Sequence, residues 1–147
     1  MGEFSIGQPV TRLEDPRLLK GQGRYLDDIN YDRQLYAVIL RSPHAHAEIV
    51  SIDTSAAEAA PGVHAVFTGA DYRADGMGVV PCMGNYTQRD GSPMYIPDRP
   101  ALAVGKVMHI GYPVAMAVAE TEAQARDAIE LIDVDYNPLP VVISCYD

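Results

Sequence analysis

Two histidines stand one residue apart in the stretch LRSPHAHAEI, which runs from Leu40 to Ile49. Alternate residues of an extended chain point to the same face, so His44 and His46 would project together as paired metal ligands. A catalytic zinc takes about three protein ligands, and the nearest further histidine, His64, lies on a separate predicted strand. Two interpretations stay open: a metal site completed by a distant ligand, or imidazoles that line the bend after Pro43 and hydrogen-bond to the backbone.

Nucleophilic catalysis requires a base held beside an activated serine, cysteine or threonine. The sequence has no G-x-S-x-G elbow, and nothing around Cys82 in VVPCMG marks its thiol as activated. Cys82 and Cys145 are the only cysteines, which are too few for a zinc knuckle or a disulfide framework. A single bridge between them stays open, although no pattern argues for it. We therefore predict no catalytic cysteine and a reducing, cytoplasmic location.

Acidic pairs and a glycine pair offer two further kinds of site. The acidic pairs are Glu14 with Asp15, Asp27 with Asp28, and Asp133 with Asp135. Neighbouring carboxylates of this kind are more often solvated caps or ion-pair partners than acid–base catalysts, and oxygen-rich cation sites usually draw several ligands from one loop. The G-x-G of KGQGRY follows no predicted strand and lacks the third glycine of a dinucleotide fingerprint, so we interpret it as a turn. We expect no catalytic, cofactor-binding or metal-binding residue in this chain.

Length and charge restrict the partners. A chain of 147 residues with 48% hydrophobic and 21% charged residues is long enough for one folded domain. The net charge of -9 repels phosphate backbones and anionic lipids, so neither nucleic acid nor a membrane is expected as a partner. No window has the roughly 20 apolar residues that a membrane-spanning helix needs.

Hydrophobic periodicity predicts an α+β domain. The predicted strands cover residues 35–40, 47–52, 63–68, 113–119 and 133–136. A short helix precedes Pro61, and a longer one covers 121–132, with Thr121 and Gln124 at capping-box spacing and Ala125, Ala128, Ile129 and Ile132 on its apolar face. We expect one further strand between the long loop and 113–119, so the elements follow the order strand-strand-helix-strand-strand-strand-helix with a closing strand. We interpret this order as one mixed β-sheet with two helices.

Two segments lack periodicity. Residues 1–30 contain several glycines and prolines, which predict an extended leader that packs on the domain or its partners. The domain itself is predicted to cover residues 31–147. The stretch 71–100 predicts a long loop, and such loops usually carry function or lie against a partner. Because both segments carry apolar side chains, we expect the isolated chain either to self-associate as a homo-oligomer or to show high mobility in both segments.

Several motifs together carry a family resemblance. RSPHAHAEI, SIDTSAA, PGVHAVFTGAD and HIGYPVAMAVAETEAQARDAIELIDVDYNPLP occur in this order. The chain resembles the N-terminal α/β-hammerhead domain of the molybdenum hydroxylase large subunit, the xanthine dehydrogenase and aldehyde oxidase family. Its leader, IGQPVTRLEDPRLLKGQGRYLDDI, is most similar to the large chain of aerobic-type carbon monoxide dehydrogenase. Tyr112 departs from the pattern, since relatives often have a polar or acidic residue there.

The resemblance implies a function for a larger protein. It implies a bacterial oxidoreductase that hydroxylates a carbon centre or oxidises carbon monoxide, with molybdopterin in the C-terminal domains of the same large subunit. Iron–sulfur clusters and FAD would lie on partner subunits or domains. This chain would then be a structural and interface domain without the active site, inactive alone, and His44 and His46 would belong to a structural motif. The alternative is a stand-alone, non-catalytic binding module that uses loop 71–100.

Overall fold

A computed structural model describes residues 11–84 and 86–144, and these residues divide into two compact units at the boundary between Gln34 and Leu35. The first unit contains helix α1 (Asp15–Leu19) and a 3-10 turn (Leu26–Asp28). The predicted leader is therefore helical, and not extended, over Asp15–Leu19. Pro16 stands in the first turn of α1, where its missing N–H costs no hydrogen bond. The part of the predicted leader before residue 11 lies outside the described residues.

The second unit contains six strands and three helices in its described residues. They are, in chain order, β1 (Tyr36–Arg41), β2 (Ala47–Asp53), α2 (Ser55–Glu58), β3 (Val63–Thr68), α3 (Gly69–Ala74), β4 (Lys106–Val107), β5 (Pro113–Ala119), α4 (Glu122–Glu130) and β6 (Asp133–Pro138). The α+β class and the order of the predicted strands and helices are confirmed.

The strands form two antiparallel sheets, with the orders β1-β5-β3 and β4-β2-β6. The expectation of a single mixed sheet is therefore wrong. The second sheet forms because β2 does not pair with β1, its neighbour in sequence, but with β6 from the far end of the chain. Such long-range pairing depends on the packing of side chains between elements and has no local signature.

Helix α4 lies against the first sheet and closes its core. Ala125, Ala128 and Ile132 are buried, as the predicted apolar face requires, whereas Ile129 is only partly buried. The predicted capping box is confirmed, since Thr121 N–H donates to the Gln124 side chain and Gln124 N–H donates to the Thr121 hydroxyl, at 3.0 and 3.2 Å.

The two sheets share part of their core. Ala115 and Ala117 of β5 pack with α4, whereas Val114 of the same strand packs with Ala47 and Val107 of the second sheet. Ile52 and Val134, which face each other between β2 and β6, pack against both clusters. Strand β5 alternates its side chains between the two clusters because successive residues of a strand point to opposite faces.

Helix α3 occupies the beginning of the predicted long loop. Thr68 caps it, because Asp71 N–H approaches the Thr68 hydroxyl while Thr68 N–H donates to the Asp71 carboxylate at 2.7 Å. Beyond α3, the described residues up to Pro100 contain only an isolated bridge between Thr87 and Pro93. The expected loop is therefore confirmed apart from its first turn.

Candidate functional site

Ser42 lies directly after β1 and connects three parts of the second unit. Strand β1 ends at Arg41, and its register with β5 shifts between Leu40 and Arg41. Pro43 predicts this end because proline cannot donate a hydrogen bond to the sheet. The Ser42 backbone N–H donates to the Tyr112 carbonyl, and Gly111 N–H donates to the Ser42 carbonyl, each at 2.9 Å. Gly111 has φ of 79°, a left-handed conformation that favours glycine at this turn. The end of β1 is thus tied to the turn that precedes β5.

The Ser42 side chain is almost completely buried, with 2% of its surface exposed. Its hydroxyl donates to the His44 carbonyl at 3.1 Å and accepts the His44 backbone N–H at 3.0 Å. Burial raises the pKa of Tyr136, and the polar Ser42 side chain opposes that rise.

The two histidine rings have different contacts. The His44 ring packs on Tyr136 with centroids 4.9 Å apart, and the His46 Nδ1 lies 2.7 Å from the Pro140 carbonyl oxygen. A carbonyl can only accept, so His46 Nδ1 carries the proton in this contact. The His46 carbonyl accepts the Leu139 N–H, so this residue holds the segment after β6 through both its ring and its backbone.

These contacts favour the structural interpretation of the pair over the metal interpretation. His64 is exposed on β3, and its Nε2 lies 3.7 Å from the Glu120 carboxylate instead of beside the other two histidines. Among residues 11–84 and 86–144, no three histidine, cysteine, aspartate or glutamate side chains come together as metal ligands.

The remaining candidates have local partners. Cys82 is exposed, and its thiol lies 3.4 Å from the Gly84 carbonyl. Cys145 lies outside the described residues. Glu14 pairs with Arg17 at 2.9 Å, and Asp28 accepts the Tyr25 N–H at 2.9 Å, so each caps or pairs within its own turn.

The carboxylates of β6 and the glycine pair of KGQGRY also lie in ordinary elements of secondary structure, a strand and a turn. Asp133 and Asp135 are exposed and face Asp53 and Ser51 on β2. Hydrogen bonds from Ser55 lower the pKa of Asp53. Gly21 adopts φ of 69° just after α1, which agrees with a turn at the G-x-G.

Sequence reasoning missed Ser42 and the Gly111 turn. The serine is the one buried polar residue of the described core, and its hydrogen bonds tie the end of β1 to the turn before β5 and to the His44 backbone. The only sequence signal for it is its place between an apolar run and a proline, which is typical of many strand ends.

Comparison with known proteins places this arrangement in a family. Residues 20–140 match the family described as aldehyde oxidase and xanthine dehydrogenase, a/b hammerhead domain. The chain belongs to this family. The resemblance stated from the sequence motifs is therefore confirmed.

Individual relatives agree with this assignment. The chain is 46% identical to the nicotine 6-hydroxylase large subunit of Paenarthrobacter nicotinovorans and 42% identical to the carbon monoxide dehydrogenase large chain of Afipia carboxidovorans. Each match covers 94% of this chain and 16% of the relative. The chain thus spans about one-sixth of the length of these curated relatives.

Solved structures show the same fold. Quinoline 2-oxidoreductase from Pseudomonas putida 86 matches with a TM-score of 0.79 and 43% identity over 96% of this chain and 17% of its own. Carbon monoxide dehydrogenase from Oligotropha carboxidovorans matches with a TM-score of 0.81 and 40% identity over 95% of this chain and 16% of its own. No helix in the described part of the chain is long and apolar enough to cross a membrane.

Proposed function

We propose that this chain is the structural and interface domain of the large subunit of a cytoplasmic, molybdopterin-dependent oxidoreductase. The observation that carries the proposal is the exposure of large apolar side chains in segments outside the sheets. Met77, Val80 and Met83 of the long loop are 59%, 54% and 96% exposed, and the adjacent Val142 and Ile143 after β6 are 75% and 88% exposed. Apolar surface of this kind is typical of a protein that is covered by a partner.

The matched relatives indicate what this partner is. They are large subunits or large chains about six times as long as this one, so the same domain in them is joined to further protein. We propose that the rest of such a large subunit, with iron–sulfur and FAD subunits or domains, covers the apolar segments. The residues 1–30 would then act as a leader that contributes to this interface.

We infer that molybdopterin is not held by the described residues. That cofactor presents phosphate and pterin groups that need hydrogen-bond donors, and no buried side-chain nitrogen or oxygen in the described ranges lacks a partner. The Cβ of an alanine at Gly69 would lie 1.9 Å from the Ala103 carbonyl oxygen, so the Ala103 backbone already occupies the space beside this glycine. We therefore assign the cofactor, which supplies the redox chemistry when bound, to the rest of the large subunit.

The test compares the 147-residue chain with the complete product of its gene. We expect the reading frame to continue for several hundred codons beyond Asp147 and the complete protein to contain molybdenum. The chain alone should contain no stoichiometric molybdenum, iron or zinc and should not oxidise nicotine, quinoline or carbon monoxide with an added electron acceptor.

Two results would contradict the proposal. A natural stop codon after Asp147 would favour the stand-alone binding module. Stoichiometric zinc in the chain alone, lost in the His44→Ala/His46→Ala variant and retained in the His64→Ala control, would establish the metal site that the geometry disfavours.

A further inference from the structure

An apolar cavity of about 250 Å³ opens on the first sheet beside α3. Phe67 of β3 and Met116 of β5, which are paired across the sheet, form its floor. Tyr72, Met77 and Leu102 form its walls, with Asp75 at its edge. Phe67 and Met77 are 38% and 59% exposed, so the cavity offers accessible apolar surface.

A second cavity of about 230 Å³ shares Tyr72 and Met77 with the first. The Tyr72 hydroxyl donates to the Gly78 carbonyl at 2.5 Å, which fixes the ring between the two cavities. The two cavities together form a groove, which we call the Tyr72 groove. Every residue that lines it belongs to the second unit.

The far end of the Tyr72 groove is cationic. Arg73 and Lys106 line the second cavity together with a single carboxylate, Asp98. Neither cation has a carboxylate within 4.0 Å among the described residues, although the chain carries a net charge of -9. Unpaired cations in an acidic protein favour an occupant that brings its own carboxylate.

We propose that the Tyr72 groove receives a segment from the rest of the large subunit, with an apolar side chain on Phe67 and Met77 and a carboxylate beside Arg73 and Lys106. Burial of the apolar side chain would supply most of the affinity, and the charge pair would fix the direction of the segment. This inference rests on the proposed function and names the partner surface of the interface.

Photo-crosslinking in the complete gene product tests the inference. A photoreactive p-benzoylphenylalanine replaces Met77, and mass spectrometry maps the cross-linked peptide. We expect a cross-link to the same polypeptide beyond Asp147, in a peptide that contains aspartate or glutamate. Arg73→Glu with Lys106→Glu should lower its yield by about tenfold, because like charges oppose docking. Arg89→Glu, a charge reversal in the long loop outside both cavities, should leave the yield unchanged.

The inference is overturned by a cross-link to a second copy, to another subunit or to residues 1–147, by no cross-link, or by equal yields in the charge-reversed and control proteins. Its failure differs from failure of the proposed function, because molybdenum content and activity of the complete protein test the latter. A reading frame that ends at Asp147 would contradict both, since the occupant would not exist.

Discussion

The Ser42 hydroxyl is bonded twice to the same residue, donating to the His44 carbonyl at 3.1 Å and accepting the His44 N–H at 3.0 Å. This pair of bonds closes the bend after β1 and places the His44 ring on Tyr136. The histidine motif thus depends on a serine beside it. In the described structure, the histidine motif acts through its backbone geometry and the stacking of the His44 ring.

Ser42→Ala should lower the free energy of unfolding by about 1–3 kcal/mol, because the His44 backbone groups lose their partner in a partly buried site. Urea denaturation measures the change. Ser51→Ala, on the exposed face of β2, is the control and should stay within about 0.5 kcal/mol of the parent. Equal effects of the two substitutions would show that the Ser42 bonds are not structural.

Ile132→Ala should cost about 2–4 kcal/mol, since this side chain is 7% exposed and packs in the cluster between α4 and the first sheet. Ile129→Ala should cost less, because Ile129 is only partly buried. Denaturation of both variants gives the comparison, and a larger loss for Ile129→Ala would mean that α4 is rotated.

Gly69→Ala should destabilise the protein by about 1–3 kcal/mol or more, because its Cβ would lie 1.9 Å from the Ala103 carbonyl oxygen. Gly78→Ala is the matched control, since a Cβ there meets nothing within 4 Å. It should change the free energy of unfolding by no more than about 0.5 kcal/mol. Thermal or urea unfolding that ranks Gly78→Ala as the more damaging change would contradict the packing of α3.

Asp71 should make stability depend on pH. Hydrogen bonds from the Thr68 hydroxyl and backbone N–H lower the pKa of Asp71 below its ordinary value. Its contribution is therefore complete above the unfolded pKa of about 3.9 and is lost as the pH falls through the lower folded pKa. An NMR titration should show this low pKa, and Thr68→Val should raise it. An Asp71 that titrates identically in both proteins would contradict the capping box.

The sequence predicts those parts of the fold that are determined by residues close together in the chain. Strands β3 and β5 were predicted with their observed bounds because each is a short apolar run between turn signals. The capping box of α4 was predictable because Thr121 and Gln124 have the required spacing. Helix α3 was missed because GADYRA has no apolar periodicity and is held by Thr68 and Asp71.

The remaining features depend on distant residues. The pairing of β2 with β6 and the bonds between Ser42 and the Gly111 turn join segments far apart in sequence. The Tyr72 groove likewise combines β3, β5, α3 and the long loop. No local pattern could predict these contacts, whereas the family motifs could predict the fold that contains them.

Hydrogen exchange over residues 77–95 tests most directly whether this chain is an interface domain. Exchange should be fast in the isolated chain and at least about tenfold slower in the complete gene product, where a partner covers the segment. Helix α4 is the internal control and should exchange equally slowly in both. Equal rates in the two proteins, or slow exchange throughout 77–95 in an isolated chain shown to be monomeric, would contradict the interface function.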